Sequence, residues 1–237
     1  MTVADEVKAL TFDVFGTVVD WRSGVEREVA SIAAVKGIEV DVGAFAAQWR
    51  QMYDPAMEEV RTGRRPWVKL DVLHRESLEQ LLPKFGLESL TEDEREQLNT
   101  SWHRLDPWPD SVPGLTRLRT RYILATLSNG NVRLMVDMAK HGGLPWDAIL
   151  GAEVSKVYKP IPAAYDITAE LLNLPPEQCM LVAAHPRDLD AAAKQGFRTA
   201  YIHRPYEYPR RPPNDVPPGT YDYQVDDMVE LAAAMGC

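Results

Sequence analysis

The first apolar run of the chain, Val7 to Phe12, ends in a carboxylate, Asp13, with Gly16 and Thr17 just beyond it. A short β-prone run bounded by a turn residue predicts a buried strand of a parallel sheet. The period then changes. Ser23-Gly24-Val25-Glu26 reads as a capping box, and Val25, Val29, Ile32 and Ala33 recur at helical spacing. Further helices are predicted from Asp41 to about Arg61, from about Val68 to Phe85, and from a second capping box at Thr91-Glu92-Asp93-Glu94 toward Trp102. Between residues 19 and 104 no strand pattern is convincing.

From Pro107 onward the pattern alternates. Helix Pro113–Arg121, strand Tyr122–Leu127, helix Asn131–His141 closed by Gly142-Gly143, and a short extended segment near 149–154 come first. Helix Ala163–Leu172, strand Cys179–Ala184, helix Leu189–Gln195 and strand Thr199–Ile202 follow, with strand Tyr223–Val225 and helix Asp227–Met235 at the end. The Pro-rich stretch from Arg204 to Gly219 reads as a surface loop. Strands alternating with helices predict an α/β fold with a Rossmann-like parallel sheet built from βαβ units. Residues 1–18 and 105–237 form the expected core, and 19–104 an inserted helical cap.

Composition alters this picture only at the margins. A chain of 237 residues suffices for one large core and a smaller second unit. A formal net charge of −9 argues against nucleic acid as a partner and means that an anionic substrate must be captured by locally placed cations. No apolar span suits a membrane, and no basic segment followed by an apolar run marks the N-terminus. Two cysteines, Cys179 and Cys237, make no disulfide framework, and a reducing cytoplasm is the expected home.

In open parallel sheets ligands bind beyond the carboxyl ends of the strands. Asp13 lies there, as do Ser128-Asn129-Gly130 after the second predicted strand and His185-Pro186-Arg187-Asp188 after the strand from Cys179. Lys159, in Val157-Tyr158-Lys159-Pro160, falls in the connection between them. Each has a structural role open to it: Ser128-Asn129-Gly130 as a turn and N-cap, Lys159 as a solvated cation, Asp188 as a cap. Four polar groups sharing one edge favour a site over four separate turns.

Asp13-x-x-Gly16-Thr17, Leu127-Ser128-Asn129-Gly130, Tyr158-Lys159-Pro160 and Asp188 resemble the motifs of the haloacid dehalogenase superfamily, and more narrowly those of the L-2-haloacid dehalogenases (type II). Trp49-Arg50-Gln51 matches that subfamily's cap arginine and Tyr165 its tyrosine, so the resemblance spans nearly the whole chain. Phe15 separates the branches. Phosphatases of the superfamily carry at that position a second Asp that protonates the leaving alkoxide, and losing such an acid costs on the order of 10²–10⁴ in rate. A halide leaves without a proton.

The resemblance implies hydrolysis of short 2-haloacids such as haloacetate and 2-halopropionate, with fluoroacetate in reach, to 2-hydroxy acids with inversion at the substrate carbon. In that scheme Asp13 attacks the carbon and expels halide, and water then hydrolyses the aspartyl ester. Lys159 and Thr17 hold the nucleophile. Ser128 with the backbone N–H groups near Val14 and Phe15 binds the substrate carboxylate. Arg50 and Asn129 cradle the halide, Asp188 orients or deprotonates the water, and Tyr165 lines the substrate site. The implied partners are the haloacid, water, the halide product and a second copy of the chain. Neither a cofactor nor a metal is expected, because a single Asp188 stands where metal-dependent relatives show an acidic pair. Two departures bear on substrate range: Ala183 and His185 replace the expected Ser and Asn, and Arg187 replaces an aromatic wall. His185 is open to two readings, as a base or halide donor and as a structural donor at the strand end. The rivals are a Mg²⁺-dependent phosphatase of the same superfamily and a non-catalytic relative.

Overall fold

The computed structural model describes residues 2–208 and 216–237. After a one-turn helix α1 (Val3–Glu6), β1 (Ala9–Phe12) enters the sheet with every residue buried. The helical stretch then runs through α2 (Trp21–Lys36), α3 (Val42–Arg61), α4 (Leu70–Leu81) and α5 (Glu92–Asn99). Then α6 (Ser111–Leu118), β2 (Ile123–Ser128), α7 (Val132–Gly142), β3 (Ala148–Gly151), α8 (Ala152–Ser155), α9 (Pro162–Leu171), β4 (Cys179–Ala183), α10 (Pro186–Lys194), β5 (Arg198–Ile202), β6 (Tyr223–Val225) and α11 (Met228–Ala234) alternate.

All six strands pair in parallel, in the order β3-β2-β1-β4-β5-β6. The chain builds outward from β1 on one side and then returns to build outward on the other, so β1 and β4 flank the switch point where such sheets bind ligands. Register places the chemistry. Phe12 pairs with Thr126 and Val182, so Asp13, Ser128 and His185 all leave the sheet at one edge. β1 and β4 are buried throughout, which is why they read as continuous apolar runs rather than alternating ones.

Between β1 and α6 the regular elements are all helices, with isolated bridges at Phe15–Val19 and Val19–Pro107 where the chain leaves and rejoins the core. Val25, Val29, Ile32 and Ala33 bury one stripe of α2, and Phe45, Ala46, Trp49 and Met57 do so on α3. Trp102, on a 3₁₀ turn after α5, stacks with Trp21 and meets Trp49 edge-on. These rings join the helical stretch to the apolar core beneath the sheet edge. Among the described residues no helix is long and apolar enough to cross a membrane.

Several boundaries differ from the sequence expectation. α2 begins at Trp21, not after Ser23: Asp20 is the N-cap, accepting from the Ser23 N–H at 3.1 Å and the Ser23 hydroxyl at 2.6 Å. A carboxylate accepts two donors at once, so it takes the cap from the hydroxyl three residues on. The Thr91 capping box forms as expected. The third helix starts at Leu70 and tightens into a 3₁₀ turn over Leu82–Phe85. α10 starts at Pro186, whose fixed φ suits the first helical position, so Asp188 falls in the first turn. The stretch expected as a surface loop from Arg204 is not one at its start: Glu207 is 4% exposed and Arg204 forms a half-buried bidentate pair with Asp110. Its residues 209–215 lie outside the described ones.

Candidate active site

A cavity of about 650 Å³ opens beyond the carboxyl ends of β1, β2 and β4, roofed by α2 and α3. Its walls include Asp13, Arg50, Tyr53, Asn129, Lys159 and His185. Asp13, one residue past β1, is the hub. Its backbone N–H donates to the Val182 carbonyl, so the carboxylate leaves from backbone held on its other side by β4. Lys159 Nζ donates to Asp13 Oδ1 at 3.1 Å. Thr17 Oγ1 and His185 Nδ1 reach Asp13 Oδ2 at 2.7 and 2.8 Å. Burial by itself would push the Asp13 carboxyl up, but Lys159, His185 and Thr17 together hold it well below the usual carboxylate range. It is an anion at any working pH.

Lys159 also donates to Asp188, whose other oxygen accepts from the Tyr165 hydroxyl at 2.6 Å. The lysine is 6% exposed, and burial would strip its proton; the two carboxylates overcome this and raise its pKa. Asn129 accepts from the Lys159 backbone N–H at 2.8 Å, which leaves its NH₂ end for the Tyr53 hydroxyl and the cavity. Arg50, from α3, lies over the Tyr53 ring at 4.1 Å and the Trp21 ring at 5.5 Å. Its Nη1 is buried without a hydrogen-bond partner among the described residues. A buried guanidinium N–H beside a cavity is a ready donor for an anion.

His185 meets a carboxylate at each ring nitrogen. Its Nε2 faces both Glu207 oxygens, at 3.1 and 3.0 Å, while Nδ1 faces Asp13. Burial would lower its pKa, but the two carboxylates hold it well above the ordinary value. Both ring nitrogens of His185 are thus occupied by carboxylate oxygens, an arrangement that suits a donor at the strand end.

Not every expected residue lines the cavity. Asp13, Arg50, Asn129, Lys159, His185 and Asp188 do. Thr17, Val14, Phe15, Ser128 and Tyr165 lie beneath that wall, each at most 2% exposed. The Ser128 hydroxyl accepts from the Gly130 N–H at 3.1 Å, so it braces its own turn, and Phe15 packs edge-on against Tyr53 and Trp102. Arg187, in place of an aromatic wall, also lines the cavity, with its side chain 68% exposed and paired with Asp54. Sequence reasoning missed Trp21, Tyr53, Glu207 and Tyr208. Tyr53, one helical turn after Arg50 on α3, could have been found by its spacing; Trp21, Glu207 and Tyr208 carry no such signal, because they reach the site through the packing of distant segments.

The donor set bears on a metal. Mg²⁺ requires a near-octahedral shell of oxygens. Asp13 and Asp188 both give an oxygen to the Lys159 ammonium, which occupies the position between them that a cation would take. The residues present do not fit Mg²⁺.

A model of the haloacid dehalogenase-like hydrolases matches residues 7–196. The chain belongs to that family. Within it, the relatives place the chain among the L-2-haloacid dehalogenases. (S)-2-haloacid dehalogenase 4A of Burkholderia cepacia is 30% identical over 235 residues, covering 97% of this chain and 95% of the relative. The solved structure of a defluorinating L-2-haloacid dehalogenase is 46% identical, with a TM-score of 0.94 over 98% of this chain and 96% of that one. That of another L-2-haloacid dehalogenase is 43% identical, with a TM-score of 0.92 over 97% and 98%. The family's six-stranded parallel core is the sheet described above.

Proposed function

We propose that the protein hydrolyses short 2-haloacids to 2-hydroxy acids through an ester on Asp13. One observation carries the reading. A carboxylate held ionised faces the cavity, and the position two residues on is the buried, apolar Phe15, which has no proton to give. Such a site suits a leaving group that departs as an anion and fails for an alkoxide. The family, and relatives named as 2-haloacid dehalogenases, support it.

In this scheme Asp13 displaces the halide by attack from behind, with inversion at carbon. Arg50, through its unpartnered Nη1, and Asn129 receive the negative charge that develops on the halogen. Lys159 keeps Asp13 charged and bridges it to Asp188, Thr17 orients Asp13, and Asp188, fixed by Tyr165, takes the proton of the attacking water. Ser128 and the turn at Val14 and Phe15 shape the floor on which the substrate carboxylate rests. Residues 19–104 act as a cap that delivers Arg50 and excludes bulk water, over a core of 1–18 and 105–237. Haloacetates, including fluoroacetate, are the substrates that best suit a cavity walled by His185 rather than a smaller amide, and the 46% identical relative is a defluorinating enzyme. A homodimer is the working assembly.

The test measures halide release from fluoro-, chloro- and bromoacetate and both 2-chloropropionates, with and without EDTA, beside p-nitrophenyl phosphate with Mg²⁺. Halide release insensitive to EDTA is expected, together with ¹⁸O from labelled water in the Asp13 carboxylate after one turnover. Asp13→Asn abolishes release while keeping the fold. Phosphate release without halide release would overturn the reading.

A further inference from the structure

Glu207 comes from the stretch expected to be a solvent loop, yet it is 4% exposed and sits behind the hub of the site. It accepts from Trp21 Nε1 at 3.0 Å as well as from His185 Nε2. The backbone has been shaped around it. Gly16 takes φ +84°, and a Cβ there would lie 2.1 Å from Glu207 Oε1, so only glycine leaves the slot open. His185 spans the gap between this carboxylate and Asp13 Oδ2, and a ring whose two nitrogens both face carboxylate oxygens must carry two N–H groups. The donors on Asp13 are therefore uneven. Among the described residues Oδ2 receives His185 and Thr17, while Oδ1 receives Lys159 at the longer 3.1 Å.

We propose that Glu207 is a positioning residue of the reaction: it holds His185 doubly protonated against Asp13 Oδ2, so that Oδ1 attacks the substrate and Oδ2 becomes the oxygen whose charge His185 and Thr17 stabilise when the ester is hydrolysed. This rests on the aspartyl-ester reading. In the first half-reaction an Oδ1 lone pair forms the new C–O bond and the carbon–halogen pair leaves as halide. In the second, water oxygen bonds to Asp13 Cγ, its proton passes to the Asp188 carboxylate, and the C=O π pair moves onto Oδ2. Collapse restores that C=O and breaks the Cγ–Oδ1 bond. The departing alkoxide takes the proton from Asp188, and the regenerated Asp13 acid loses its own proton to solvent. The product hydroxyl thus carries the former Oδ1. A cationic donor at Oδ2 acts where charge grows only in the second half-reaction, which is where such a donor speeds a reaction most.

The groups that set the charge of His185 are Asp13 from the end of β1 and Glu207 from the segment after β5, with Arg50 of α3 and Lys159 acting through those carboxylates. The wild-type protein, labelled with ¹⁵N-histidine and assigned against His185→Asn, tests the first claim without any activity. Both His185 nitrogens are expected to stay protonated through neutral pH, and in Glu207→Gln one proton is lost there. The second claim is read in single turnovers with chloroacetate, following halide and the Asp13 ester by mass spectrometry. In Glu207→Gln the halide burst persists while ester hydrolysis slows on the order of 10²-fold, so the ester accumulates. Glu207→Asp recovers part of the loss. A neutral His185 in the wild type, or equal slowing of both steps in Glu207→Gln, overturns the proposal. If the wild type releases no halide from any haloacid, the aspartyl-ester reading fails and this step with it, while the titration still decides whether Glu207 sets the charge of His185.

Discussion

Replacing Lys159 by Met is the sharpest perturbation of this site. The lysine lies between Asp13 and Asp188 with its side chain 7% exposed, and Met keeps most of its volume while deleting the charge. Asp13 retains His185, but Asp188 is left with the Tyr165 hydroxyl alone. Breaking a buried ion pair by removing one partner costs about 3–5 kcal/mol. Because Asp13 keeps one cation, the lower end applies, and about 3 kcal/mol lowers Tm by roughly 6–12 °C in a chain of this length. The pH dependence is the more specific signature. In the wild type the Asp13 carboxyl is depressed, so its contribution is complete above the unfolded value near ~4 and is lost only as pH falls through the lower folded one. The Lys159 amine is raised, so its contribution is full below the unfolded value near ~10.4 and is lost as pH rises through the higher folded one. Wild-type stability from Asp13 and Lys159 is therefore flat between about pH 5 and pH 9. Without the lysine two buried carboxylates face each other, a carboxyl pKa rises, and the variant gains stability as pH falls from neutrality. Calorimetric Tm at several pH values, with halide release measured alongside, checks both parts. A variant within about 1 kcal/mol of wild type and without that slope would refute the reasoning.

Two further substitutions probe the other ends of the site. Arg50→Lys replaces a planar guanidinium stacked on Tyr53 with a flexible ammonium; halide release falls on the order of 10²-fold and product inhibition by chloride weakens, both read in a halide assay. Thr17→Val removes the hydroxyl that donates to Asp13 and accepts from the Ala184 N–H at 2.9 Å, destabilising the fold by about 1–3 kcal/mol in denaturant melts and slowing the first half-reaction.

The fold was legible because its central strands are buried on both faces. β1 and β4 must be continuous apolar runs, and the polar residue that ends such a run marks the ligand edge of a parallel sheet. Asp13, Asn129, Lys159, His185 and Asp188 could be grouped on that ground before any coordinates, and the motif spacing named the family. Helix starts were less legible. Asp20 and Ser23 are both good capping residues, and only the backbone entering α2 decides which one caps.

What the sequence determined by itself, then, is the order of elements, the sheet edge where the candidate site lies, and the absence of a proton donor at Phe15. These follow from local periodicity and from the identity of residues next to strand ends. The tertiary structure decided the two carboxylates that flank His185, the partner of Glu207 and the rings that hold Arg50. Trp21 and Glu207 lie 186 positions apart and meet only through the packing of α2 against the segment after β5. Hydrophobic periodicity reports which face of an element is covered, but not which distant segment covers it. A Pro-rich stretch with no apolar period therefore reads as solvent loop until the fold seats Glu207 beside a histidine.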